Sequence, residues 1–258
     1  MPAEIPEQNL AYPVLATFGQ SQGSGFFLND EAQATWFITA KHVMFDSAGK
    51  LHSSAGELLA YSKDPSETAA NSISLNLKDV ESAGNLKPDP NADVVAVKLG
   101  TREKRDEREV MTPAKGVTLN SVTKSGLVGV DARQVRKLDK VRIGNDAYVF
   151  GYPNSIGLAH IPQVDPKRPL VRKGSVAGVN PALRTIILDC QVFPGNSGGL
   201  VVEVEREALV NHFYTIGLVA QYVPFDNARF GVPANLATLL NSGYSIVIPA
   251  DIILELVS

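Results

Sequence analysis

The feature that most constrains this chain is a rhythm of short apolar runs. Roughly a dozen segments rich in Val, Ile, Phe and Tyr follow one another, with Gly, Asn, Asp and Pro between them. They include "YPVLATF" (12–18), "GFFL" (25–28), "TWFIT" (35–39), "DVVAVKL" (93–99), "SGLVGV" (125–130), "AYVFGY" (147–152), "RTIILD" (184–189), "GLVVEVE" (199–205), "YTIGLVAQY" (214–222) and "YSIVI" (244–248). Such runs read as strands, and few stretches show a helical period. The expected class is all-β, with the sheets stacked as a sandwich or closed into barrels. Two helices are expected near the end. One is "ANLATLLN" (234–241), between Pro233 and Gly243. The other is "PADIILELV" (249–257), with Pro249 at its start and Asp251 in the first turn, where the helix dipole favours an acid.

Composition narrows the function classes. The net charge is −3 and the pI about 5.8, so no basic stripe points to nucleic acid. The densest charge run, "TREKRDERE" (101–109), is balanced in sign and reads as a solvated loop, and 101–116 reads as a linker between two β halves. No stretch reaches the roughly 18 consecutive apolar residues of a membrane span, and "MPAEIPEQNL" has neither a basic nor an apolar leader region. The single cysteine, Cys190, excludes an intrachain disulfide and reads as a small core residue. The expectation is a cytoplasmic protein with no nucleic-acid or membrane partner.

Within that frame, "FPGNSGGLVV" (193–202) sets a hydroxyl among glycines immediately before a strand. A serine nucleophile needs a base within hydrogen-bond reach and donors for the oxyanion it generates. The turn Gly195, Asn196 and Ser197 is the candidate oxyanion pocket, through the N–H groups of Gly195 and Ser197. Gly198 and Gly199 keep bulk away from the hydroxyl. Of the four histidines, His52 and His160 read as loop residues and His212 as a surface residue. His42 lies in "WFITAKHVM", at the rim of an apolar strand, and is the candidate base. Asp93 opens a strand that reads as buried, where an acid needs a partner, and ranks above Asp89 in the turn "KPDPN".

The ordered set "TAKH" (39–42), "DVVAVKL" (93–99) and "GNSGG" (195–199) resembles the trypsin/chymotrypsin-like serine peptidases, most closely the HtrA (Deg) branch. "GSGFFL" (23–28), "FGYPN" (150–154), "ILDCQVFPGNSGG" (187–199) and "YSIVIPADIILEL" (244–256) extend the likeness over most of residues 11–257. The resemblance implies one peptidase domain without an appended PDZ domain. It implies two six-stranded antiparallel β-barrels, about 11–110 and 117–248, and a short C-terminal helix at 249–257. It makes His42, Asp93 and Ser197 a catalytic triad acting on peptide or protein substrates, with no cofactor and no metal. Gln191, six residues before the serine, falls at the base of the S1 pocket, and a neutral amide there disfavours Lys and Arg. Asp189 is expected to be structural. Ala220, Gln221 and Tyr222 are expected to pair with the substrate backbone. Asn196 replaces the aspartate that receives a cleaved N-terminus in digestive members, so activation by such cleavage is not expected. An insertion over 224–242, with Phe225, Arg229 and Phe230, is a candidate lid. The alternative is a latent or catalytically silent module of the same fold that binds peptides or an activating protein partner.

Overall fold

The computed structural model describes the chain except residues 1–4, 6, 63, 65, 68, 106–107, 125, 155–159, 208–209 and 225–240. The lid segment with Phe225, Arg229 and Phe230 and the helix expected from 234 therefore lie outside the described residues. Asn241, expected to end that helix, begins a strand instead.

The first half carries β1 (Pro13–Phe18), β2 (Ser21–Asn29), β3 (Ala34–Thr39), β4 (Ala55–Tyr61), β5 (Ala70–Asn76) and β7 (Val95–Arg105). These six are ordered β7-β3-β2-β1-β4-β5 in one antiparallel path. Four strands lengthen the sheet to ten. β6 (Leu86–Pro88) and β8 (Arg108–Pro113) pair with β7, and β9 (Val117–Ser121) pairs with β5. β10 (Val130–Asp131) runs parallel to Leu28–Asn29 of β2. Every residue of β3 is buried, which suits its place between β2 and β7. In β5, Asn71, Ile73 and Leu75 turn inward with the two-residue period of a strand.

Two expectations change here. The charged segment expected to be a linker forms the β7–β8 hairpin, with Arg102 opposite Met111 and Glu103 opposite Val110. Mixed charge suits an edge strand, because it keeps the free edge hydrated and discourages pairing with another chain. The first half also runs past residue 117, so the two halves divide between β10 and β11 (Asp146–Gly151). Among the described residues of "SGLVGV", Val130 alone falls in a strand.

The second half is a closed barrel, β11-β12-β13-β16-β15-β14, and matches the six-strand expectation. Its remaining members are β12 (Leu170–Asn180), β13 (Thr185–Asp189), β14 (Leu200–Glu207), β15 (Val210–Pro224) and β16 (Asn241–Pro249). Its interior is packed by Ala147, Val149, Val176, Ile186, Leu188 and their neighbours. Phe150, Leu200 and Leu218 instead join the core of the first half, so apolar packing continues across the seam. The final helix is Ala250–Val257; Ile252, Ile253 and Val257 pack into that shared core, and Asp251 accepts from Leu138 N at 2.7 Å.

The segment joining the halves is tied to the barrel by charge. The Arg136 guanidinium stacks 3.7 Å from the Tyr214 ring and pairs with Glu203 and Glu205 of β14. Glu203 is fully buried, and its second oxygen accepts from Arg142 N (3.1 Å) and Asn145 Nδ2 (2.7 Å). Both carboxylate oxygens are thus satisfied, as burial of a charge requires.

Candidate active site

β3 ends at Thr39, and the chain turns through Ala40 into a single helical turn, α1 (Lys41–Met44). Val43 and Met44 are buried, which anchors the turn and leaves His42 facing outward, with half of its side chain exposed. Asp93 stands two residues before β7, at the end of a turn shaped by Asp89. The Asp89 carboxylate accepts from Asn91 N (2.8 Å) and Ala92 N (2.7 Å), and its carbonyl accepts from Lys41 Nζ (2.7 Å). Asp89 thus serves the site by presenting Asp93.

The structure brings His42 and Asp93 together at two points. His42 N donates to Asp93 Oδ1 at 3.0 Å, and His42 Nδ1 lies 2.6 Å from Oδ2. A carboxylate only accepts, so Nδ1 carries the proton and Nε2 is free to act as a base when the ring is neutral. Burial pushes the Asp93 carboxyl up, but the hydrogen bonds and charge of His42, together with Lys41, outweigh it. The carboxyl sits below the usual aspartate value.

Ser197 comes from the other half, in a turn whose carbonyls are all tied. Pro194 O accepts from Asn154 N (3.1 Å), Asn196 O from Gly199 N (2.8 Å) and Ser197 O from Ser24 N (2.9 Å). Gly195 O accepts from the Ser24 hydroxyl at 2.6 Å. In a trans peptide the N–H points opposite to the carbonyl. Fixing the carbonyls of residues 194 and 196 therefore aims the N–H groups of Gly195 and Ser197, and neither has a partner among the described residues. Asn196, expected in the pocket, does not supply a donor: its N–H bonds Phe193 O (2.9 Å) and its side-chain oxygen accepts from Phe193 N (3.0 Å). Its place is to close the turn.

The glycines serve close approach as much as access. Gly195 has φ +97°, and a Cβ there would come within 2.3 Å of Tyr152 O. Gly198 has φ +81°, and a Cβ would come within 2.1 Å of Ser24 O and 2.3 Å of Thr39 Oγ1. The second contact sets the serine turn against the junction of β3 and α1, beside His42. The Ser197 hydroxyl itself has Ala220 O as its partner, at 3.5 Å, rather than His42 Nε2.

Ala220 falls where the β15–β16 register shifts, between Val219 and Gln221, so it stands out of the ladder on the Ser197 side. Gln221 is exposed, Tyr222 is partly buried against the barrel core, and Gln191 is exposed. Asp189 is exposed and lies in β13 opposite Ser175 and Tyr244. Cys190 is buried, and burial, with Asp189 nearby, holds its thiol above the ordinary value. Among the described residues no cluster of His, Cys, Asp or Glu could hold a metal.

The residue that sequence reasoning missed is Ser24. It is fully buried in β2, and its hydroxyl donates to Gly195 O while accepting from Tyr152 N at 2.9 Å. Its carbonyl accepts from Thr39 Oγ1 at 2.6 Å. A small polar residue between two glycines, directly before the apolar run Phe26, Phe27 and Leu28, is the available signal.

Residues 23–210 match the family model described as trypsin-like peptidase domain. The match covers more than half of the chain, and the protein belongs to that family. Its fold is similar to the solved structure titled "HtrA-type protease AlgW with tripeptide", with a TM-score of 0.52 and 17% sequence identity. The likeness covers 98% of this chain and 62% of that one, so this chain spans less than two thirds of that protein's length. No curated protein matches the sequence.

Proposed function

We propose that the protein is a serine endopeptidase that cleaves peptide bonds through an acyl-enzyme. Ser197 Oγ attacks the carbonyl carbon as His42 Nε2 takes its proton. The imidazolium, held by Asp93, then passes that proton to the leaving amine. Water repeats the sequence on the ester and releases the acid. Gly195 and Ser197 N–H groups bind the oxyanion in both halves of the reaction, and removing one such donor typically costs roughly 100- to 1000-fold in turnover.

The observation that carries this reading is the contrast within one turn: four consecutive carbonyls are tied, while the N–H groups of Gly195 and Ser197 have no partner among the described residues. Donors kept unpaired need no reorganisation when charge develops. The edge of β15 beyond Val219 supports an added substrate strand along Ala220, Gln221 and Tyr222. With Gln191 as the pocket base, cleavage after Lys or Arg is disfavoured.

A second reading, a latent or silent module of this fold, is favoured by the Ser197 hydroxyl facing Ala220 O. A fluorophosphonate probe separates the two. Endopeptidase function requires one phosphonyl adduct per chain, absent in Ser197→Ala and strongly reduced in His42→Ala. A folded protein that takes no adduct sinks that reading and leaves the latent module.

A further inference from the structure

The turn that carries His42 is too short to satisfy its own carbonyls. α1 has four residues, its N-cap Ala40 makes no side-chain bond, and its internal bonds are Val43 N to Ala40 O (3.1 Å) and Phe45 N to Lys41 O (2.9 Å). The carbonyls of the last turn of a helix need outside donors. The N–H that would reach His42 O in a longer helix, that of Asp46, donates instead to Lys50 O at 2.8 Å.

Val43 O accepts from the Ser21 hydroxyl at 2.8 Å, and the donors to the other two carbonyls, those of His42 and Met44, both come from His52. Its backbone N–H donates to Met44 O at 2.9 Å, and its Nε2 lies 3.2 Å from His42 O. A carbonyl only accepts, so His52 Nε2 bears hydrogen; the neutral Nε2–H ring and the imidazolium both meet that need. The intervening loop is closed on itself. Asp46 Oδ1 accepts from Ala48 N and Lys50 N, both at 2.9 Å, and Phe45 bridges to Leu51. His52 is thereby held at a fixed distance from the turn.

We propose that His52 is a positioning residue for His42. The His42 backbone is then gripped on both sides by side chains, its N–H by Asp93 and its carbonyl by His52. His52 lies at the surface, so water can replace its bond and little stability depends on it. What water cannot replace is the fixed direction in which the imidazole is presented. The proposal gives His42 a kinetic role in the reading above, but the geometric claim stands apart from that reading.

The test compares His52→Phe, which keeps a ring and loses the donor, with His52→Gln, which keeps an N–H donor. Two signals are read: the low-field proton resonance of His42 Nδ1–H, and the rate of Ser197 labelling by a fluorophosphonate. His52→Phe is expected to broaden or shift the resonance and to slow labelling on the order of 10-fold, within the roughly 100-fold that a 1 Å misplacement costs. KM for a peptide substrate should stay unchanged, and His52→Gln should restore most of both signals. An unchanged resonance in His52→Phe overturns the proposal, as does equal loss in both variants. If no form is labelled but the resonance responds to Phe and recovers with Gln, the peptidase reading fails while the positioning of His42 stands.

Discussion

The Ser24 hydroxyl donates to the carbonyl of Gly195 at 2.6 Å, although 171 residues separate them. The same oxygen accepts from Tyr152 N. One buried hydroxyl therefore fixes two segments of the second half, Tyr152 just past the end of β11 and the turn that carries Ser197, and it does so from the first half.

Ser24→Ala leaves the Gly195 carbonyl and the Tyr152 N–H buried without that partner. Each such orphan costs about 1–3 kcal/mol. The variant is expected to lose about 2 kcal/mol or more in urea unfolding and to slow Ser197 labelling under conditions where it remains folded. An unchanged urea midpoint together with an unchanged labelling rate would remove Ser24 from the support of the site.

Asp93 links the site to pH. Its carboxyl lies below the ordinary value in the folded chain, so it adds stability above the unfolded value of about 4 and loses that contribution as pH falls through its lower native value. Asp93→Asn should therefore be less stable than the parent at pH 6, with the gap narrowing below about pH 4. On the proposed reading it should also lower turnover by about 10⁴-fold, because an amide does not hold the useful tautomer. Denaturant titrations from pH 6 down to pH 3 check the first claim; a gap of constant size would show that the ionised pair contributes nothing.

The buried charge at Glu203 is supported by Arg136 on one oxygen and by Arg142 N and Asn145 on the other. Arg136→Met strands that charge and should destabilise by about 3–5 kcal/mol. The double variant Arg136→Met with Glu203→Leu removes both partners and should recover much of the loss. Calorimetry of the two resolves the point, and a double variant no more stable than the single one contradicts it.

Cys190 is 4% exposed, and its thiol is held above the ordinary value chiefly by burial. The reactive species is the thiolate, so native protein should react with iodoacetamide far more slowly than urea-unfolded protein near pH 8. Equal rates would mean that the chain segment before Gln191 opens readily.

Much of this architecture was legible in the residues. Apart from "SGLVGV", the apolar runs from "YPVLATF" to "YSIVI" correspond to strands because a half-buried strand needs its β-branched and aromatic residues whatever it pairs with. The order and spacing of "TAKH", Asp93 and "GNSGG" carry the resemblance to the trypsin-like peptidase family, to which the chain belongs. What was not legible depends on distant partners. "TREKRDERE" looks like loop because nothing local says that Arg102 will face Met111 across an edge hairpin. Asn196 looks like part of the pocket until its N–H is seen to close on Phe193 O. In the sequence Asp89 reads as a mere turn residue, and that turn is what delivers Asp93. Ser24 and His52 matter through bonds to carbonyls, and a carbonyl leaves no trace in a side-chain sequence.

The seam between the halves has a consequence for how such a molecule comes into being. His42 and Asp93 belong to the first half and Ser197 to the second, and the turn around Ser197 is braced by Ser24 across the seam. On the proposed reading, the portion made first on the ribosome holds a base and its carboxylate with nothing to activate. The nucleophile emerges later and acquires its surroundings only on docking. On that same reading the nascent chain is unarmed while it is itself an extended polypeptide, and the proposed hydrolytic power arrives together with the compact shape that protects it.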